Sequence, residues 1–463
     1  MNASAAFERS PTRPLIAWSL VTAIALGAAA AVNPLLAVSA FVAVVVLIAC
    51  YLRPQFMVVI LTASVFLEVI SFGGVTISRL IAPLALLVVI YGLSTGTAHL
   101  KLGPPLFWVS LYALWAGASI LWTTDDAGTI TLLASLGIAV VYMVAFACLV
   151  ESTETLVRVV IAFVVAAVCV GLFAIASFVG LVGAATLEQG RTSGAVGDAN
   201  FFAAYQLIAL PLALALANSV QRRAASVALY GASGIIIGSI VTTISRGGII
   251  ALVAVVLAVF IVPSKTLFRS GAQKAAALAV VFLTGSLLFY TLSGTFAPRI
   301  QKMLSGGGGG SGREALWSGA RTSIGERPWL GLGYGAFASN ANELILRTPN
   351  VILTGYDLRP HGEEVHSAYI GTAAELGLPG LFLLVAVLIS TGRYLRRIAR
   401  DARASGAEMV ARLASALVIS LLGWATASLF LSSETSRPVW IVVGIALALG
   451  KLLDAERAKG EAG

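Results

Sequence analysis

Charged residues are scarce in this chain. Asp, Glu, Lys and Arg make up 11% of its 463 residues, whereas hydrophobic residues make up 59% and the mean hydropathy is +0.95. Soluble globular domains contain about a quarter charged residues. The composition therefore excludes a soluble globular protein and predicts a polytopic membrane protein.

Cysteines and paired acids are also few. The three cysteines, Cys50, Cys148 and Cys169, all lie inside apolar runs, so we predict no disulfide and no structural zinc. Asp125 and Asp126 form the one adjacent acidic pair in a short outer connection, and a divalent cation needs more oxygen ligands than they supply. We predict no metal site and no cofactor.

Apolar runs of about 17–25 residues, the length that crosses a bilayer, recur along the chain. They predict an all-α fold of 12–14 transmembrane helices, and 12 is the number if the tight hairpins around Asn33 and Ser245 are re-entrant. We interpret the first run as a retained span rather than a cleaved signal peptide, because further spans follow it at once. The predicted spans are residues 15–32, 35–52, 55–72, 77–94, 104–122, 129–150, 156–181, 200–219, 224–244, 247–262, 273–293, 367–392, 410–431 and 437–453.

Basic residues are divided unevenly between the two sides of this arrangement. With the N-terminus in the cytoplasm, 19 of the 30 Lys and Arg residues fall in cytoplasmic segments. The positive-inside rule then places both termini in the cytoplasm and the long hydrophilic segment outside. Because topology accounts for most of the net charge of +9, we predict no nucleic-acid partner. Three parts are expected: transmembrane helices over 1–297, a large outer loop over 298–366, and further transmembrane helices with a tail over 367–463.

Four arginines, Arg79, Arg191, Arg246 and Arg437, lie in short outer connections, against that rule. Arg191 and Arg246 are each surrounded by Gly and Ser, and such exceptions require another explanation. Guanidinium groups bind phosphate oxygens bidentately and stay charged, so two of them can neutralise a pyrophosphate without a metal. Asp198 and Asn200 open the helix after Arg191, and helix capping explains them sufficiently.

The long hydrophilic segment contains a helical pattern. Leu316, Ala320 and Ile324 recur at helical spacing, which predicts an amphipathic helix lying along the outer membrane face. Arg313 and Trp317 then share one helix face, a pairing suited to holding a headgroup or a sugar. The simpler alternative is an interfacial anchor with a snorkelling arginine.

Two glycine-rich stretches flank that helix. Residues 305–312 are expected to form a flexible coil without chemistry. Residues 327–335 are rich in turns, and their glycines permit close backbone approach. A lone Gly-x-Gly without a preceding strand does not indicate a dinucleotide site.

Histidine is rare, and one of the three histidines has a favourable position. His366 precedes Ser367, which is a predicted N-cap of a helix that ends near Leu378-Pro379-Gly380. The positive end of a helix dipole disfavours imidazolium, so a neutral imidazole that can act as a general base is expected. His99 and His361 are interpreted as ordinary polar residues.

These segments together resemble the bacterial O-antigen ligase family, which shares its C-terminal signature with O-antigen polymerases and protein O-oligosaccharyltransferases. The matching pieces occur in the expected order and on one predicted side of the membrane. They are residues 191–194 with 198–201, 245–248, 312–317 with 327–333, and 366–369 with 375–380.

The resemblance implies a GT-C-like membrane glycosyltransferase of the bacterial inner membrane. Such a ligase transfers a glycan from undecaprenyl pyrophosphate to a sugar hydroxyl of lipid A-core at the periplasmic face, in lipopolysaccharide biosynthesis, with inversion and without a metal. By this analogy His366 is the base or the orienter for the acceptor hydroxyl, and Arg191 and Arg246 hold the pyrophosphate. Positioning of donor or acceptor falls to Arg313, Trp317 and Asn200.

Three alternatives remain open at this point. An O-antigen polymerase differs from a ligase only in its acceptor, a second lipid-linked glycan. A protein O-oligosaccharyltransferase commonly carries more mass after its last span. A transporter of lipid-linked glycan would place ionisable residues and broken helices near the midplane, whereas interior charge here is expected almost only at Glu68.

Overall fold

The computed structural model describes residues 50, 53–68, 70–72, 75–182, 187–188, 191–262, 264–268, 270–291, 312–351, 353, 356 and 362–462. His361, the glycine run apart from Gly312, and the predicted spans 15–32 and 35–52 apart from Cys50 lie outside these residues. The chain divides into the units Met1–Phe56 and Met57–Gly463. The second unit contains the elements described below, except for the first two residues of helix α1.

Helices dominate the described part of the chain. Nine are long and apolar enough to cross a membrane: α2 to α7, α13, α14 and α15, with short 3-10 extensions of α3 and α14. The predicted all-α polytopic fold is therefore confirmed. The helices are α1 Gln55–Ser64, α2 Ile77–Ser94, α3 Pro104–Ala118, α4 Asp126–Leu149, α5 Thr153–Phe178, α6 Ala199–Ala217, α7 Arg223–Thr242, α8 Arg246–Ile261, α9 Ser264–Leu267, α10 Gly271–Thr291, α11 Arg313–Glu326, α12 Phe337–Arg347, α13 Ala368–Ala404, α14 Glu408–Ala427 and α15 Arg437–Ala462.

In the part of the chain that the structure describes, the strands form two short antiparallel hairpins. Ser71–Phe72 (β1) pairs with Val75–Thr76 (β2), and Leu187–Glu188 (β3) pairs with Arg191–Thr192 (β4). The second hairpin places Arg191 directly before the loop that leads into α6.

The predicted span 55–72 is wrong. Helix α1 ends at Ser64 after ten residues, and a turn containing Glu68 follows. The Glu68 carboxylate accepts a hydrogen bond from Arg437 Nη1 at 2.9 Å, and both side chains are about 15% exposed. A buried carboxylate requires such a cationic partner.

Helix α6 lies at the centre of the bundle. It packs against α5, α7, α8 and α14, and nearly all of its residues are buried. Gln206 Nε2 donates to Ala167 O at 2.9 Å, and Ser420 Oγ donates to Ile208 O at 2.8 Å. These contacts hold the N-terminus of α6, which carries Asn200, on a rigid support.

Basic residues predicted to face the cytoplasm meet at one end of the bundle. Lys451 Nζ lies 2.6 Å from Glu151 Oε1 and also donates to the carbonyl oxygens that end α4. Lys101 pairs with Asp454 at the same end. The candidate catalytic and phosphate-binding residues lie at the other end, where α13 begins.

The outer loop has a small hydrophobic core of its own. Buried residues of α11 pack against buried residues of α12, together with Leu332 and Val365. The predicted amphipathic helix is confirmed as α11, but its apolar residues Leu316 and Ala320 are fully buried by protein. The expectation that this face rests on the membrane is therefore wrong.

The turn-rich segment 327–335 packs against a break in α13. Gly377 has φ +68° and ψ −176° inside that helix, which confirms a break near 378–380. The break leaves two backbone carbonyl groups of α13 free to accept hydrogen bonds from the segment. Leu332 N donates to Ala374 O at 3.1 Å, and Gly333 N donates to Glu375 O at 2.9 Å. The glycines thus allow two backbones to meet closely.

Replacing Gly331 with alanine is expected to destabilise the protein by roughly 2–4 kcal/mol. Gly331 has φ +69°, and an added Cβ would lie 2.4 Å from the carbonyl of Glu375. Thermal inactivation of the purified protein in detergent, at one scan rate, measures the effect. Gly325→Ala is the matched control because nothing lies near its added Cβ. Equal inactivation of the two variants would contradict the close packing.

Candidate active site

The two short loops that carry the predicted phosphate-binding arginines are joined by a hydrogen bond. Ser245, the N-cap of α8, donates from Oγ to Asn200 Oδ1 at 2.8 Å. The same Oγ accepts from Gly248 N at 3.0 Å. Because Arg246 follows Ser245 directly, the start of α8 is fixed beside the start of α6.

A second hydrogen bond ties the other arginine to this region. The hydroxyl groups of Thr192 and Thr242 are 2.9 Å apart and both are buried. Thr192 follows Arg191 in β4, and Thr242 ends α7, three residues before Ser245. Arg191 and Arg246 are therefore held at the same end of the bundle by neighbouring anchors.

Asp198 has the structural role that the sequence indicates. It caps α6 and accepts from Asn200 N at 2.7 Å and from Phe201 N at 2.9 Å. Asn200 is not a cap but the second residue of the helix, and its side chain is the acceptor for Ser245. Asp198 thus caps the start of α6, and Asn200 joins that start to the loop of Ser245.

A third arginine joins the first two. Arg313 begins α11, and burial lowers the pKa of its guanidinium group. Asp198 opposes this shift, whereas the positive charges of Arg191 and Arg246 lower the pKa further. Three guanidinium groups therefore share one electrostatic neighbourhood in which Asp198 is the acidic group that acts on Arg313. Like charges so placed repel one another unless an anion binds between them.

The backbone around His366 is held on both sides. Trp317 Nε1 donates to Val365 O at 3.0 Å, just before the histidine. Ser367 caps α13 as predicted, and Ala368 N donates to Leu431 O at 2.8 Å just after it. Trp317 and Arg313 lie one turn apart on α11, so one helix contacts both the histidine loop and the arginine cluster.

His366 also has an unusual backbone conformation. Its φ is +55°, in the left-handed region that residues other than glycine rarely adopt. Residues kept in such conformations cluster at functional sites, where the surrounding structure imposes them. The anchors at Val365 and Ala368 provide that constraint.

One segment that the sequence did not indicate connects the histidine to the arginines. It is the 3-10 helix Ser428–Phe430 with Leu431. A Cβ at Gly247 would lie 2.8 Å from Phe430 Cβ, so the start of α8 packs on this segment. Leu431 O in turn holds Ala368. The polar run that follows Leu431, between two apolar spans, was the only sequence signal for it.

Glu364 is a second residue that the sequence did not indicate. Desolvation by the surrounding protein raises the pKa of its carboxyl group, and the nearby charge of Asp198 raises it further. A hydrogen bond with Ser432 acts in the opposite direction. Glu364 therefore lies near Asp198 and Ser432, two residues before His366 in the chain.

Interior acids are more numerous than expected from Glu68 alone. Glu375 is 9% exposed and Glu434 is 8% exposed. Glu375 accepts from Gly335 N at 2.8 Å and from Phe337 N at 3.3 Å, so it supports the loop. Burial raises the pKa of Glu434 far above its ordinary value, and Glu375 adds to the shift. Both acids lie at the same end of the bundle as His366.

The arrangement combines an anion site with a proton acceptor. Three arginines can neutralise a highly charged phosphate, and the positive end of the α8 dipole favours an anion at the same place. His366, fixed on the neighbouring loop, offers an imidazole nitrogen that can accept a proton. This set of groups suits a group transfer in which a phosphate leaves and a hydroxyl group attacks.

Comparison with known proteins supports the family that the motifs resemble. A search of curated proteins found no match. Residues 231–385 match the family model described as O-antigen ligase, and this range includes Arg246, Arg313, Trp317 and His366 but not Arg191. Members of this family include ligases, polymerases and oligosaccharyltransferases, which are glycosyltransferase-like membrane enzymes. The resemblance of the chain to the O-antigen ligase family is thus confirmed over residues 231–385.

Proposed function

We propose that this protein is an O-antigen ligase. It transfers a glycan from undecaprenyl pyrophosphate to a sugar hydroxyl of lipid A-core, without a metal or other cofactor. The active site faces the periplasm, both termini face the cytoplasm, and the protein lies in the inner membrane. The family match supports the general class of lipid-linked glycan transfer, and the specific acceptor is our proposal.

One observation carries this proposal. The loops that carry Arg191 and Arg246 are tied to each other by hydrogen bonds at one end of the bundle, and α11, which begins with Arg313, holds the loop of His366 through Trp317. Guanidinium groups in this arrangement are suited to binding the oxygens of a pyrophosphate. A transporter does not require a fixed proton acceptor beside such a site, whereas a glycosyl transfer does.

The transfer follows from these groups in a single displacement. The acceptor oxygen forms a bond to the anomeric carbon while the bond from that carbon to the pyrophosphate oxygen breaks, with inversion. The hydroxyl proton moves to the His366 imidazole, and the electron pair leaves with the pyrophosphate. Arg191 and Arg246 stabilise the charge on the leaving group. No carboxylate pair of the glycosidase kind is needed.

The remaining site residues have positioning roles in this mechanism. Trp317 holds the backbone before His366, and Asn200 holds the N-cap of α8 beside the start of α6. Arg313 reaches the cluster from the loop and contacts whichever phosphate oxygen the other two arginines leave open. Displacements of about 1 Å at such positions reduce rates strongly.

Competition between acceptors tests the assignment. The purified protein, reconstituted with lipid-linked glycan, receives lipid A-core and a second lipid-linked glycan in equal amounts. We expect glycan on lipid A-core and at least tenfold less on the second lipid. Predominant extension of the lipid-linked glycan would identify a polymerase, and flipping of lipid-linked glycan without any transfer would identify a transporter. Arg191→Ala is the inactive control.

A further inference from the structure

A groove of about 450 Å³ lies between α3 and α13, away from the candidate active site. Its volume falls in the range of about 300–1,000 Å³ that is typical of small-molecule sites. Trp108 and Phe382 form one end, with ring centroids 5.8 Å apart in an edge-to-face arrangement. Ala386 and Ile389 also line it. The walls of this part are apolar.

The groove is long enough for a lipid chain. From Phe382 to Arg397, both of which line it, α13 rises about 22 Å at 1.5 Å per residue. Half of a bilayer's hydrocarbon core is about 15 Å thick. An acyl chain of one leaflet can therefore lie along α13 within the groove.

Two cations lie at the other end of the groove. Arg393 and Arg397 are one helical turn apart and line it together. Arg393 is exposed and forms no ion pair within the described part of the chain. Arg397 Nε is 3.9 Å from Asp401 Oδ2, while Arg400 and Arg457 each approach the same carboxylate to 3.2 Å. Among the residues that the structure describes, the carboxylates near the groove therefore neutralise its positive charge only in part.

We propose that this groove binds an anionic glycerophospholipid. Its phosphate lies between Arg393 and Arg397, and one acyl chain runs along α13 toward Trp108 and Phe382. Basic pockets between transmembrane helices are suited to acidic headgroups. The apolar wall gives the acyl chain of the lipid a contact surface, which a free phosphate ion cannot use. The site lies in the leaflet opposite the candidate active site, because His366 precedes α13 and Arg397 lies near its far end.

Lipid titration of the detergent-solubilised full-length protein tests whether the groove prefers a lipid with an anionic headgroup. Native mass spectrometry counts bound dioleoyl phosphatidylglycerol or dioleoyl phosphatidylcholine. We expect phosphatidylglycerol to bind at least tenfold more tightly. Arg393→Ala is expected to weaken phosphatidylglycerol binding about fivefold. Arg396→Ala removes the same charge from an exposed position on the same helix that does not line the groove, and it is expected to change affinity less than twofold.

A second variant tests the chain-binding part without changing any charge. Ala386→Phe fills the groove and is expected to weaken phosphatidylglycerol binding at least fivefold. Inorganic phosphate at the same concentration is expected not to compete. Equal binding of the two lipids, equal effects of Arg393→Ala and Arg396→Ala, or full competition by phosphate would each overturn the proposal. Gel filtration confirms that each variant is folded, and the readout is independent of glycan transfer.

Discussion

Replacing His366 with asparagine is expected to lower glycan transfer by about 10²–10⁴-fold, the usual contribution of a general base. Asparagine tolerates a positive φ better than most residues, so it suits the backbone at φ +55°. Its amide cannot accept the hydroxyl proton near neutral pH. Single-turnover transfer to lipid A-core, with the reconstituted protein, measures the loss of the chemical step.

Three comparisons distinguish the loss of a base from damage to the fold. His99→Asn changes an exposed histidine at the opposite end of the bundle and is expected to leave transfer unchanged. The His366 variant is expected to bind undecaprenyl pyrophosphate as the wild type does. In His366→Gly, added imidazole is expected to restore part of the rate. Transfer above a tenth of the wild-type rate in His366→Asn would remove this residue as the base.

Much of the local structure of the site could be predicted from short patterns. Ser367 and Asp198 are N-caps in the structure, because capping depends on residues two or three positions apart. The positions of most spans follow from the length of apolar runs. His366 stood out because histidine is rare and because this one precedes a helix.

Long-range pairing could not be predicted in the same way. Glu68 and Arg437 are 369 positions apart, and neither neighbourhood indicates the other. The segment ending at Leu431 binds the backbone after His366 through a carbonyl group, which no side-chain pattern reveals. Helix α11 was predicted correctly, but its periodicity could not show whether protein or lipid covers its apolar face. Such facts depend on the packing of distant helices.

Replacing Arg246 with alanine is expected to reduce transfer in a different way from the His366 variant. Arg246 is exposed at the start of α8, where the helix dipole already disfavours a cation. It also repels Arg313. Without substrate, removing it is therefore expected to leave thermal stability unchanged or slightly raised. With substrate, a charge-assisted contact of about 1.5–3 kcal/mol is lost, so kcat/KM falls by about 10–10²-fold.

Arg246→Ala is thus expected to lower kcat/KM without lowering the thermal stability of the substrate-free protein. This combination is specific to an anion site. Arg321→Ala is the matched control, since it removes an exposed arginine from α11 whose guanidinium contacts Ser318 rather than the cluster, and it should change neither quantity. Arg246→Lys keeps the charge but not the bidentate geometry, so an intermediate loss is expected. The rise in thermal stability on adding undecaprenyl pyrophosphate should be largest for the wild type, smaller for Arg246→Lys and smallest for Arg246→Ala. A loss of stability in substrate-free Arg246→Ala would show that this arginine supports the fold. An arginine whose role is to bind the anion makes no stabilising contact while the site is empty, so its removal should not destabilise the substrate-free protein.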